Sequence, residues 1–348
     1  MKKKGIVYGS ILLSIFFVAC SSTHYISIET YHPAGITFPK NVGKVVIVNN
    51  AVAQPAELGH SRELFGKLSS DTIKADSAVW EACEFLMQVL AEQKFFNEVL
   101  LLKDTIRTDE SYFIDRKLSF GQVKNICERS GADAIISIDK LLFNVRSEIS
   151  ARAEGYVIGN IHVHVTGLIR SYLPNRINPL VTIQVIDSVN WNQDAGNLVW
   201  LRMILPSGEE AIKEAVKHIV AKNYTNFVPY WRNETRWYYT EGGSRWQEAT
   251  VLAKNEKWTK AALRWEHLYT SERSNLKKAK AALNLALVME LQEDFEKALD
   301  WANKGISLFK KAGETKSERD IHITQLYIDT LKERIKEKEK LNIQFGAE

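Results

Sequence analysis

Lys44-Val45-Val46-Ile47-Val48 is the stretch on which the fold turns. Its four apolar residues are consecutive and β-branched, so a strand made of them is apolar on both faces. Such a run suits the buried centre of a sheet, and Asn49-Asn50 ends it. A strand of this kind needs cover on either side, and the sequence that follows supplies candidate helices.

Asp76-Ser77 can cap a helix that carries Val79, Cys83, Leu86 and Leu90 at helical spacing. Residues 99–102 read as a second strand. A helix from Ser119 then carries Val123, Ile126 and Cys127 and stops at Gly131, and residues 134–138 read as a third strand. Residues 141–149, 156–172, 181–186 and 198–203 read as further strands, with a turn near Gly155, before a helix opened by Pro206-Ser207-Gly208. Residues 51–75 are long for a loop, so either a short helix around 62–68 or a functional role is expected within them. This order predicts an α+β domain with a mixed sheet over residues 43–228.

Four local stretches give that order a likeness. They are Lys44 to Val48, Phe95-Phe96-Asn97-Glu98-Val99, Ser130-Gly131-Ala132-Asp133-Ala134-Ile135-Ile136, and Ile186-Asp187 followed by Gly196-Asn197-Leu198-Val199-Trp200. They resemble the periplasmic domain shared by the curli-secretion lipoproteins, the penicillin-binding-protein activator lipoproteins and the amino-terminal domain of the translocation protein TolB. The likeness spans residues 43 to 225, and in the fourth stretch residues 188–195 lengthen what those families write as a tight hairpin. These motifs mark strand ends and turns, so the resemblance implies a domain that binds envelope proteins or builds pores, with no chemistry attached.

Beyond residue 245 the pattern changes. Ala249, Leu252, Trp258, Ala261, Trp265 and Leu268 recur 37 residues later as Ala286, Met289, Phe295, Ala298, Ala302 and Gly305. A small residue, an aromatic nine positions on and an alanine three beyond that resemble the tetratricopeptide repeat, in which small residues let paired helices approach. Lys310 stands where that repeat usually ends in proline. Residues 246–348 are therefore expected to form an all-α tetratricopeptide-like module, closed by a capping helix from Ser317.

At the other end, Met1-Lys2-Lys3-Lys4 precedes a short apolar run and Ala19-Cys20. This is the layout of a secretory leader, here over residues 1–19. Ala19-Cys20 resembles the lipobox of bacterial lipoproteins, which implies acyl chains on Cys20 and a membrane anchor. Residues 20–42, with Pro33, Gly35 and Pro39, read as a tether. The whole chain resembles tetratricopeptide lipoproteins of Bacteroidetes. Loss of three lysines with the leader takes the formal charge from +4 to about +1, which argues against a nucleic-acid partner. Cys83 and Cys127 read as buried free thiols, with a disulfide between them the alternative, since sequence does not fix their separation.

Tyr230, Trp231, Trp237, Tyr238 and Tyr239 crowd residues 229–245, read as an aromatic linker that either glues the domains together or offers a binding surface. His162 and His164 lie two apart, on one face of a strand, with no further ligand near them in sequence, so no metal is expected. Nothing in the chain carries a nucleophile elbow, a phosphate loop or paired catalytic carboxylates in a supporting context, and the reading names no cofactor and no catalysis. The expectation is an outer-membrane lipoprotein that binds an envelope protein partner as an adaptor, the concave face of the helical repeats taking a peptide or helix. A subunit of a curli-type secretion pore and a glycan-binding surface lipoprotein are the alternatives. Replacing Cys20 by Ser should move the protein from the membrane pellet to the soluble fraction, and a Cys20→Ser chain that stays in the pellet would refute the anchor.

Overall fold

The computed structural model describes residues 23–152 and 155–346, so Cys20 and the leader lie outside the described residues. The chain divides into two compact units. Among the described residues, one is Tyr31–Arg232 with Glu337 to Gly346, and the other is Thr23 to Thr30 with Asn233–Lys336. The first is α+β with a mixed sheet and the second is dominated by helices, as expected.

The first described strand, β1 (Thr23–His32), pairs with β9 (Tyr230–Tyr239) in a two-stranded sheet. Residues 20–42 are therefore not a free tether. Ile28, Thr30 and His32 are buried along one side of β1. Further on, the Gly35 and Ile36 amides donate to the Thr225 and Asn226 carbonyls at 3.0 and 2.8 Å, and Phe38 enters the core edge-on to Phe96.

In the α+β unit β2 (Lys44–Asn49) lies between β5 (Glu98–Leu102) and the first part of β6 (Ala134–Ala151), parallel to both. Val45 and Ile47 pack with α1 (Ala78–Glu92) and α4 (Gly208–Asn223), while Val46 and Val48 pack with α2 (Phe120–Ser130). Each of these side chains contributes about 1.5–3 kcal/mol by leaving water, which is why both faces must be covered. Ser119 caps α2 in a reciprocal capping box with Gln122, and Gly131 ends it at φ 65°.

β6 is one strand, where the sequence suggested two. The register slips between Ile138 and Lys140, and side chains facing α1 and α4 change from even numbers (Ala134, Ile136, Ile138) to odd (Leu141, Phe143, Val145). The bulge breaks the alternation that sequence reading follows. Gly167 lies beside it, where a Cβ would stand 2.7 Å from the Lys140 carbonyl. β7 (Val157–Tyr172) and β8 (Val181–Ala195) continue the sheet antiparallel. On its other edge the outer half of β6 pairs with the hairpin of β3 (His60–Leu64) and β4 (Lys67–Ser70). A short helix was expected there. Phe65 and Gly66, at φ 48° and 82°, instead make a two-residue turn of the kind that joins hairpin strands.

Residues 198–203 are likewise not a strand but most of α3 (Leu198–Ile204). The Asn197 side chain accepts the Trp200 amide at 3.0 Å to start the helix. Leu201 and Leu205, four apart, close over Gly159, where a Cβ would meet both leucines. The long hairpin signature around Trp200 is corrected with it.

The second unit stacks α5 (Ser244–Lys254), α6 (Trp258–Ser271), α7 (Asn275–Leu291), α8 (Phe295–Ala312) and α9 (Glu314–Gln344). Ala249, Ala261, Ala286 and Ala298 have no exposed surface, so the helices approach closely at these positions, and Trp265 and Phe295 fill the space beside them. From Glu337 on, α9 belongs to the α+β unit. There Gln344 exchanges hydrogen bonds with the Ala34 backbone and Glu337 lies 2.9 Å from His32 Nδ1.

One buried charge cluster pins the long connection before α2. Arg170 donates to Asp139 at 2.6 Å and to both oxygens of Asp115 at 2.6 and 2.7 Å, and the Tyr172 hydroxyl donates to Asp139 at 2.8 Å. Burial works against the Arg170 charge, yet the two carboxylates hold it firmly protonated. The Arg170 guanidinium holds Asp115 below the usual carboxylate range. Arg170→Met would strand Asp139 without its cation, so urea unfolding should show a loss of about 3–5 kcal/mol. The double change Arg170→Met with Asp139→Leu should recover part of that loss, and a double variant no more stable than the single one would contradict this account.

Candidate functional site

At the far end of the β6–β7 ribbon a pocket of about 560 Å³ opens within the α+β unit. Its floor and walls are Val145, Ser147 and Ile149 of β6, Ile161 of β7, Arg62 and Leu64 of β3, and Asp71 and Ile73 beyond β4. It is roofed by Arg202, Met203 and Leu205 in and after α3 and by the first residues of α4. The volume lies in the range of small-ligand sites, and the lining is mixed apolar and polar as such sites are.

The pocket's charges are unequal in their freedom. Arg62 and Asp71 pair at 2.9 Å. Glu210 accepts from the amide and hydroxyl of Ser207 at 2.8 and 2.9 Å, which caps α4 and lowers its pKa. Arg202 has no ion pair among the described residues, and the Ser147 hydroxyl is buried without a hydrogen-bond partner.

α3 also presents an apolar outer side. Val199 and Met203 are each 70% exposed and Trp200 is 59% exposed, with Ile204 beside them, while Leu201 alone is buried. Four large exposed apolar side chains on a seven-residue helix make a patch of the kind that marks an interaction surface. Sequence reading missed both features because it took this segment for a strand. The signal was the Asn197 cap followed by leucines three and four apart.

His60 shares its strand face with Arg62 and Leu64, since alternate residues point the same way. It is buried, and neither ring nitrogen has a partner among the described residues. Burial lowers its pKa, against a smaller opposing pull from Asp71.

The residues singled out by sequence separate into distinct places. Cys20 lies outside the described residues. Ala249, Trp258, Ala261, Trp265, Ala286, Phe295 and Ala298 all sit in the helical unit at helix contacts, Trp258 half-buried and the others buried. The aromatic stretch is not a linker, because it forms β9. The Tyr239 amide donates to Asn284 Oδ1 at 2.6 Å and the Asn284 amide returns a bond to the Tyr239 carbonyl at 2.8 Å. Arg236 donates to Glu290 at 2.8 Å, and Tyr327 completes that carboxylate at 2.7 Å. These bonds lay β9 along α7. Tyr238 and Tyr239 are consequently core residues and unavailable as binding aromatics, and burial raises the Tyr238 phenol to about 12. Trp237 is half-buried against Tyr327, Tyr230 stacks on His32, and Trp231 alone of the five remains 61% exposed.

His162 and His164 do share a face, but His164 bonds Ser188 at 2.9 Å and no group of three metal-ligating side chains occurs among the described residues. Cys83 and Cys127 are buried and free, one on each side of the sheet.

The chain matches the family model described as domain of unknown function DUF8603 over residues 42–239, more than half its length, and it belongs to that family. A second model, domain of unknown function DUF6340, matches residues 247–333 and so is similar to the helical unit. No curated protein matches. Among solved structures, the crystal structure of a neuraminyllactose-binding hemagglutinin homolog from Helicobacter pylori aligns over 57% of this chain and 92% of that one. The identity is 10% and the TM-score 0.29, a likeness too slight to bear on the fold.

The His60 environment sets a pH dependence. The folded chain resists protonating this ring, so as pH falls below the ordinary value of 6.5 the unfolded chain takes up a proton first. Stability contributed by the neutral ring is present above that value and is lost as pH drops through the window beneath it. Urea unfolding at pH 7.5 and pH 5 should show a smaller acid loss for His60→Leu than for the native chain, whereas equal losses would remove His60 from the account.

Proposed function

We propose that the protein is a lipid-anchored lipoprotein of the cell envelope, held at the outer membrane through Cys20, that acts without catalysis as an adaptor for another envelope protein. The observation that carries the reading is the exposed apolar side of α3, a short helix held on rigid strands by Leu201 and Leu205 with Val199, Trp200 and Met203 left in water. Apolar and aromatic anchors of this kind dominate the binding energy of protein interfaces.

The charge clusters support the same reading through their employment. Arg170 with Asp115 and Asp139 holds a loop, and Arg236 with Glu234 and Glu290 holds a strand. Both are structural tasks. β9 also changes where a partner would bind. The side of α7 that a tetratricopeptide-like module would offer to a peptide is lined in this chain by its own Trp237, Tyr238 and Tyr239, which favours α3 over the helical unit as the partner surface.

Pull-down from detergent-solubilised envelopes tests this. The full-length chain should retain a stoichiometric protein that a Val199→Ser, Trp200→Ser double variant, which leaves the pocket lining intact, loses. A partner held equally by both would take α3 out of the reading. Detergent-resistant rings would favour the pore alternative, and polysaccharide retained without protein would favour the glycan-binding one.

A further inference from the structure

The pocket beside α3 calls for a ligand of a definite chemical class. Within its mixed lining Ile73, Val145, Ile161 and Leu205 make one apolar wall, which water covers poorly. The Ser147 hydroxyl stands among them with its hydrogen-bonding capacity unused. Both carboxylates that face the pocket are already engaged, Asp71 by Arg62 and Glu210 by the start of α4. Glu210 keeps its charge, since an amide and a hydroxyl neutralise none of it, and two cations stand against that one carboxylate: Arg202 in the lining and exposed Lys67, the cross-strand neighbour of pocket residue Leu64.

We propose that this pocket binds the acyl chain of an anionic amphiphile, with the chain on the apolar lining, a carbonyl or carboxyl oxygen accepting from Ser147, and the negative headgroup facing Arg202 and Lys67. A neutral or cationic amphiphile of the same chain length lacks the matching charge. The acidic outer residues Glu148 and Asp194 do not oppose the headgroup, because strand alternation puts them on the other face of the sheet. Val145, Ser147 and Ile149 face the pocket on β6, and on β8 Asp187 points to α4, where it pairs with Lys222 at 2.8 Å. The chemistry is shared by a free fatty acid and by an anionic phospholipid, and the two sources are separable by experiment. This inference does not rest on the adaptor reading, which uses the outer side of α3; Met203 alone belongs to both surfaces.

The test uses full-length protein carrying Cys20→Ser, so that no acyl chain of its own competes, and dansylaminoundecanoic acid as the fluorescent probe. Saturable enhancement displaced by laurate and not by dodecylamine is expected. Arg202→Glu with Lys67→Glu, both on exposed side chains, should raise the probe Kd about tenfold or more, and Ser147→Phe, which fills the space, should abolish binding. Thermal unfolding of each variant confirms that it folds, and the charge variant keeps the test decisive if Ser147→Phe does not. Displacement by laurate alone identifies a free acid as the source, and displacement also by phosphatidylglycerol vesicles, but not by phosphatidylcholine vesicles, identifies the membrane. Absence of saturable binding, equal displacement by dodecylamine, or an unchanged Kd in the charge variant would overturn the proposal.

Discussion

The α+β unit is organised by a single constraint, that β2 has no face it can show to water. Val45 and Ile47 point one way, Val46 and Val48 the other, and all four are buried. Covering the first pair requires α1 and α4, which come from distant parts of the chain. Covering the second requires α2 and the loop before it, and that loop puts only Ile106 and Leu118 against the core. The Arg170, Asp139 and Tyr172 cluster holds it down, with Asp115 reaching in from the loop. A buried ion cluster adds little net stability compared with apolar packing of similar shape, but it admits only one arrangement of the groups it joins. The bulge at Asp139 fits this scheme, since it inserts the carboxylate and changes the parity of the rest of β6 in one step.

That constraint was legible in five letters, and so were the elements nearest to it. The Ser119 cap, the Gly131 stop and the 37-residue echo of Ala249 in Ala286 each have a local physical cause that a sequence displays directly. The failures have causes too. At 198–203 a mostly apolar run containing Val199-Trp200 suggested a strand, while the deciding information lay one residue earlier, in Asn197. The β3–β4 hairpin turns on Phe65 adopting a positive φ, a conformation that its side chain gives no reason to expect. The pocket joins residues from β3, β6, β7, α3 and α4, so no window of sequence contains it.

β1 and β9 were the largest misreadings, and they fail together. Each strand was taken for a connection because each lacks a neighbour in sequence with which to pair, the two being separated by about two hundred residues. In β9 the aromatic side chains alternate between the two cores of the helical unit, Tyr238 in one and Tyr239 in the other, which is a strand's period of two expressed in a helical setting. A run of aromatics between domains thus reads as a surface until the partner it covers, here α7 with Asn284 and Glu290, is known.

The placement of Cys83 and Cys127 sets how the fold answers to oxidants and reductants. The sheet lies between the two sulfurs, and burial raises both thiols, Cys127 to about 11 and Cys83 further, so neither offers a thiolate to an oxidant. The α+β unit therefore needs no oxidising machinery to mature and no reductant to stay intact. No bond between these two sulfurs holds the fold, so reduction has none there to break.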